Sequence, residues 1–161
     1  GQYRIKDNFL AFWFRFVYPM RSFIESDHPE IAMTKLKTGF IPNHVGYVYE
    51  DICRQKMWEL NAQGKLPFLF DRVGRWWGGK DTEIDIVAID TTDRSKIIFG
   101  ECKFHQNVPM QLSELHQLKE KAAVVPWGNA NRDEYFALFC ISGYSEDLQQ
   151  LAQEDSHLLL M

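Results

Sequence analysis

Two Val- and Ile-rich runs, Glu83 to Ile89 and Lys96 to Phe104, lie on either side of the polar segment Thr91-Thr92-Asp93-Arg94-Ser95, and this arrangement constrains the chain more than any other feature. Runs of that length and character joined by a short polar turn read as a β-hairpin. A symmetric five-residue turn sets Asp90 opposite Lys96, Asp85 opposite Glu101 and Glu83 opposite Lys103. Side chains alternate along a strand, so Glu83, Asp85, Glu101 and Lys103 then share one face. A turn of four or six residues would change that parity.

Facing carboxylates repel, and strand propensity does not favour Asp or Glu between Ile84 and Ile86 or between Gly100 and Cys102. Such a pair calls for a cation. A hard divalent ion such as magnesium fits, because it takes a few carboxylate oxygens and keeps several waters for chemistry. Lys103 would then stand beside the metal, placed to position a water or to stabilise charge developing on a phosphorane. The same residues without a metal make an exposed hairpin face with a Glu83 to Lys103 ion pair, and the pattern alone leaves both open.

Upstream, Ile5 to Tyr18 reads as a helix with Asp7 as N-cap and Pro19 as its terminator. It is apolar nearly all round, which implies burial on more than one side. The abrupt start of the sequence reads as that of a piece cut from a longer polypeptide. A second helix is expected from Asn43, its cap, to Leu60, with Glu50 and Arg54 one turn apart. Leu66 to Val73 reads as a strand and Gly74 to Asp81 as a loop. Leu112 to Val124 has helical spacing of Leu112, Leu115, Leu118 and Ala122, with Lys121 among the charged residues off that face. Asp133 to Ile141 is a strand, and Ser145 is placed to cap a helix over Glu146 to Gln153. This order predicts an α/β fold with mixed strand directions.

Length and composition are compatible with one domain that buries a core: 161 residues, 45% hydrophobic and 25% charged. No apolar run approaches the about 20 residues needed to cross a bilayer, and no signal peptide opens the chain, so a cytoplasmic location without membrane contact is expected. Cys53, Cys102 and Cys140 form no CxxC pair, as suits a reducing compartment, and no histidine stands at metal-ligand spacing to another His or Cys. Gly74 to Lys80 matches GxxxxGK, but Asp81 replaces the magnesium-binding Ser or Thr, Trp76 and Trp77 crowd the loop, and a strand follows where a helix belongs. A phosphate loop is therefore not expected.

The net charge of -4 is unusual for a nucleic-acid binder. The acidity is local, however. Residues 1–40 and 41–80 each carry six basic and four acidic side chains, whereas residues 81–140 carry ten acidic and six basic, and residues 141–161 four acidic and none basic. Part of the excess is Glu83, Asp85 and Glu101, a cluster that a bound cation would neutralise.

Asp85 followed by Glu101-Cys102-Lys103 resembles the D...ExK pattern of the PD-(D/E)xK nuclease superfamily, the restriction-endonuclease-like fold that includes archaeal Holliday-junction resolvases. Glu50, in Val45-Gly46-Tyr47-Val48-Tyr49-Glu50, matches the further acidic residue that an upstream helix supplies there. Ile84 stands where the pattern's proline would. The blocks Tyr3 to Leu10, Phe12 to Phe16, Gly74 to Gly78 and Glu83 to Ala88 also look like the C-terminal region of prokaryotic AAA-type ATPases that carries the domain of unknown function 234.

The resemblance implies a restriction-endonuclease-like core with a mixed central sheet flanked by helices over residues 41–161. Residues 1–40 would be a helical extension linking it to an N-terminal P-loop ATPase module. It implies magnesium- or manganese-dependent hydrolysis of DNA phosphodiesters, with Asp85 and Glu101 as metal ligands and the Cys102 backbone carbonyl as a third. Glu50 would be a further ligand or a water-orienting base, and Lys103 the catalytic lysine. Arg75 and Lys80, beside Trp76 and Trp77, are candidates for gripping DNA. The partners implied are DNA and the ATPase module, with a homo-oligomer allowed. The competing expectation is a catalytically silent DNA-binding or protein-interaction module coupled to the ATPase.

Overall fold

A computed structural model of the chain describes residues 5–78, 82–128 and 131–161, with Pro42 and Asn43 described in their backbone only. It divides into two compact units, Gly1–Val48 and Tyr49–Met161. Among the described residues no helix is long and apolar enough to cross a membrane, and all three cysteines are free thiols.

The N-terminal unit is helical. The Asp7 carboxylate accepts the Leu10 amide at 2.8 Å and caps α1 (Asn8–Phe12). The chain continues through a π-helical turn, Trp13–Val17, and a 3-10 turn, Tyr18–Met20, into α2 (Arg21–Glu25). Pro19 therefore does not end the helical run as its sequence position suggested. It sits in the first turn of the 3-10 segment, where a missing N–H breaks no hydrogen bond. α3 (Pro29–Phe40) and the π-helical turn Ile41–Val45 follow, α3 having gone unread in the sequence. Phe12 and Phe16 meet Phe40 and His44 at ring separations of 5.8 to 6.1 Å, and Phe40 stacks on His44 at 5.6 Å. Phe9, Trp13, Phe14 and Tyr18 are exposed, so burial on several sides is not met within this unit. The expected Asn43 cap concerns a side chain outside the described residues. The backbone there is already helical, and α4 runs Gly46–Ala62.

In the C-terminal unit a five-stranded mixed sheet of order β1-β2-β3-β4-β5 is flanked by helices on both faces. β1 (Arg72–Gly78), β2 (Thr82–Ile89) and β3 (Lys96–Lys103) run antiparallel in succession, whereas β4 (Asp133–Cys140) and β5 (Leu158–Leu160) are added in parallel. The parallel joints follow from the crossovers α5 (Leu112–Ala123) and α6 (Glu146–Glu154), because strands linked through a helix return in the same direction. The fold is thus the α/β class with mixed strand directions that the element order implied.

The hairpin register is the one expected from a symmetric turn: Ile86 pairs with Gly100, Val87 with Phe99, Ala88 with Ile98 and Ile89 with Ile97. Short side chains hold the turn. Asp90 accepts the Thr92 amide at 2.8 Å, Asp93 accepts the Ser95 amide at 3.0 Å, and Asp71 accepts the Thr91 amide at 2.9 Å. The contacts of Asp90 and Asp93 are Asx-type turns that make local backbone geometry favourable without a longer loop, and that of Asp71 ties the turn to the residue before β1.

β1 displaces two expectations. The strand lies over Arg72–Gly78 rather than 66–73, and the segment read as a loop is its body. Gly74, the first residue of the expected loop, sits where the register against β2 shifts, between Gly74 and Trp76. The extra residue is in β2, where Asp85 and Ile86 stand opposite Arg75 alone, and pairing continues on either side. Gly74 to Gly78 of the GxxxxGK segment is paired strand, and Gly79, Lys80 and Asp81 lie outside the described residues.

The alternation of side chains divides the core. Ile97, Phe99 and Leu138 pack with Leu115, Leu118 and Ala122 of α5 and Leu148 of α6, whereas Ile86, Ala88, Ile98 and Cys102 pack with Cys53 and Met57 of α4. Gln111 and Glu114 cap α5 reciprocally. Ser145 occupies the cap position of α6, but its hydroxyl makes no capping bond; the turn is closed by the Gln149 amide on the Ser145 carbonyl.

Asn61 is buried at the end of α4, where its amide donates to the Phe70 carbonyl and accepts the Phe70 N–H, both at 3.0 Å. Asn61→Ala leaves both backbone groups unpaired and is expected to cost on the order of 2 kcal/mol. The urea midpoint measures this, and Asn61→Asp should recover only part, since a carboxylate replaces one bond and not the other.

Candidate active site

Beyond Ile86 and Gly100 the Asp85 carboxylate reaches across the hairpin, and its Oδ2 accepts the Cys102 amide at 2.9 Å. Glu101 follows Gly100 on the neighbouring strand and is buried, with 6% of its surface exposed. The β2 and β3 backbones therefore bring the two carboxylates near each other, Glu101 on the side where Lys121 of α5 meets it. Gly100 has to be small for this: a Cβ there would stand 2.9 Å from the Ile86 Cβ and 3.1 Å from the Ala137 carbonyl oxygen.

Both oxygens of Glu101 carry a lysine. Lys103 Nζ lies 2.7 Å from Oε1, and Lys121 Nζ donates to Oε2 at 3.0 Å. The expected Glu83 to Lys103 pair is replaced by two others, since Glu83 Oε1 meets Arg75 Nη1 at 2.9 Å. Arg75 also bridges to Glu50, and Arg54 Nη1 approaches Glu50 Oε2 at 3.8 Å. Arg54 donates to the Asp85 carbonyl at 3.0 Å and pairs with Asp51, tying α4 to β2. Arg54, Arg75, Lys103 and Lys121 thus serve Glu50, Asp51, Glu83 and Glu101 in direct ion pairs, while the Asp85 carboxylate takes the Cys102 amide.

Burial, and then the negative charge of Glu101, push the Asp85 carboxyl up to about 6; the Cys102 amide and the cations of Lys103 and Arg75 oppose the rise. Burial pushes the Lys103 ammonium down, but Glu101 and Asp85 outweigh it, and its net shift is upward. The Cys102 thiol is driven well above its usual range by a hydrogen bond with Cys53 and by burial. It remains a protonated core side chain.

The raised Asp85 value has a direct consequence for stability. Between the ordinary carboxyl value of 3.8 and about 6 the folded protein holds a proton that the unfolded chain has released, so stability falls as pH rises through that window. Asp85→Asn keeps an oxygen for the Cys102 amide and removes the charge. It should therefore add on the order of 2 kcal/mol at pH 8 relative to its effect at pH 4. Urea midpoints of both proteins at the two pH values measure this, and an offset independent of pH would contradict it.

The residues singled out in the sequence thus fall into two groups. Asp85 takes the Cys102 amide and Glu101 takes Lys103, and Asp85 and Glu101 are near enough to act on each other electrostatically. Glu50 and Arg75 form an adjoining ion-pair group in which Arg75, 11% exposed, is engaged by two carboxylates, while its guanidinium lies 5.6 Å from the Trp77 ring. Trp77 is exposed and Trp76 packs against the core. Lys80 lies outside the described residues. Lys121 was missed, because its place beside the apolar stripe of α5 looked like a solvated flank; what marks it is its position one turn after Leu118, on the helix that covers Glu101.

Among the described residues no group of three or more His, Cys, Asp or Glu side chains could hold a metal ion. Asp85 and Glu101 supply two carboxylates. That is too few for an all-protein cage but fits magnesium, which is commonly held by one or two carboxylates together with waters and substrate phosphates.

Residues 13–122 match the model of a family described as archaea bacterial proteins of unknown function. The chain is also 34% identical over 139 residues to an uncharacterized protein of Methanocaldococcus jannaschii, an alignment covering 86% of this chain. It spans 30% of that relative's length. No solved structure matches the chain.

Proposed function

The chain belongs to the DUF234 family of archaeal and bacterial proteins of unknown function, and for this member we propose magnesium- or manganese-dependent hydrolysis of DNA phosphodiesters by a restriction-endonuclease-like domain of the PD-(D/E)xK type. The observation that carries the proposal is the juxtaposition of Asp85 and Glu101 with Lys103 Nζ 2.7 Å from Glu101. Asp85 and Glu101 would hold the metal, with the Cys102 carbonyl as a further ligand. Bound there, a divalent ion supplies Lewis-acid polarisation of the phosphate and a more acidic water. Lys103, cationic at neutral pH, stabilises charge on the phosphoryl oxygens. Glu50 orients the attacking water from its place against Arg75, and Arg75 and Lys80 contact the DNA backbone. The remainder of the full-length protein would be a cytoplasmic AAA-type ATPase module acting with this one on DNA.

The test offers duplex, nicked, branched and single-stranded DNA with magnesium or manganese to wild type, Asp85→Ala and Lys103→Ala. Cleavage by wild type and much slower cleavage by both variants are expected, and equal rates for all three would overturn the proposal.

A second reading has its own support. Both Glu101 oxygens are engaged by lysines and Glu50 is engaged by Arg75, so these carboxylates already have protein cations as partners. A silent DNA-binding or protein-interaction module would have this property. Calorimetric titration with magnesium separates the two: uptake lost in Asp85→Ala supports the nuclease, and no uptake with or without DNA supports the silent module.

A further inference from the structure

We infer that Lys121 is a phosphate-binding residue of this site, held in reserve on Glu101 and transferred to the DNA backbone when a divalent ion engages Glu101. The inference rests on the nuclease reading and deepens it.

Three observations lead there. Lys121 comes from α5, not from the hairpin, yet its ammonium donates to Glu101 Oε2 at 3.0 Å while Lys103 takes Oε1. Its side chain is 31% exposed against 8% for Glu101, so its head group stands between the buried carboxylate and the rim of the site. The charges also match. Asp85 and Glu101 are balanced by Lys103 and Lys121, so a divalent ion leaves the site with two positive charges in excess. A phosphodiester with its attacking hydroxide carries two negative charges in the phosphorane, which the excess would neutralise.

An ammonium and a metal ion compete for the same carboxylate oxygens. Once Glu101 is committed to the metal, Lys121 loses its partner, and a partly buried cation without one is costly. The flexible four-carbon stem lets its head group reach a phosphate oxygen without movement of α5. Lys121 is then a metal-dependent contact: absent from DNA binding by the metal-free protein and present once metal is bound.

The experiment measures DNA affinity against salt concentration, with calcium as the divalent probe, for wild type, Lys121→Met and Lys121→Gln. Each lysine on a phosphate contributes about 0.9 to the slope of log affinity against log salt. Both variants should lose about one from that slope in calcium and bind about tenfold more weakly. In EDTA both should match wild type, and Lys121→Arg should restore the slope in calcium. A wild-type slope for both neutral variants in calcium overturns the inference, as does an equal loss with and without calcium. Melting curves and the agreement of the two neutral variants separate a folding defect from a lost contact. Failure of calcium to strengthen DNA binding by wild type would instead tell against the nuclease reading itself.

Discussion

Lys103→Ala is expected to slow metal-dependent DNA cleavage by about 10²–10³-fold, the effect of removing one pre-positioned charge from a developing oxyanion. The expectation follows from where the lysine stands and how it is charged. Its ammonium is 2.7 Å from Glu101 on the strand that also carries that carboxylate, and Glu101 and Asp85 outweigh burial to hold it above its ordinary value. It is a cation throughout the neutral range and cannot act there as a general base. Two corollaries distinguish this role: Lys103→Arg should retain a substantial part of the rate, and raising the pH should not rescue Lys103→Ala. Single-turnover cleavage under saturating metal reads all three. Recovery of the alanine variant at alkaline pH would show that the lysine had been acting through a proton instead.

The second large effect concerns the support of the site. Phe99 is fully buried, two residues before Glu101, stacked on Phe136 at 6.0 Å with the Arg132 guanidinium 5.4 Å from its ring. Phe99→Ala should cost about 3–5 kcal/mol, from lost burial and from the cavity left between the sheet and its helices. A domain of ordinary stability has about 5–15 kcal/mol in total, so the variant should melt far below wild type and its site should loosen before it unfolds. Urea denaturation gives the size of the loss. Phe99→Leu, which fills much of the space, should recover most of it. A small loss in Phe99→Ala would mean that α5 collapses onto the vacated volume, and α5 would then carry Lys121 with it.

The hairpin was legible because its information is local. A polar turn of fixed length and two β-branched runs define the register near the turn, and the pairing of Ile86 with Gly100 follows; the face of Ile84, which packs with α5 while Ile86 packs with α4, was not legible. α5 and β4 were legible for a similar reason, their periodicity extending over enough residues to be unambiguous. β1 was not, because its two glycines, Gly74 and Gly78, read as loop, and its pairing depends on a register shift against β2, a property of the pair and not of the strand. β5 has three residues, too few for any period. Pro19 misled because its effect depends on which turn of a helical segment it enters. In the site, Asp85, Glu101 and Lys103 could be brought together on paper through the hairpin alone. The partners of Glu50 could not, since Arg75 reaches it from another element, and Lys121 approaches Glu101 only through the crossover that brings α5 over the sheet.

The Asx contacts of the hairpin turn have a further consequence, for how such sequences can change over time. Asp85 and Glu101 meet only while the turn keeps its present count of residues, because a slip of one residue would send one of the two carboxylates to the opposite face of the sheet. Substitutions among Thr91 to Ser95 that preserve turn geometry should be tolerated freely, whereas a single-residue insertion or deletion there should dismantle the site without touching any residue in it. Among descendants of this chain, length variation in that turn and retention of the carboxylate pair should be mutually exclusive.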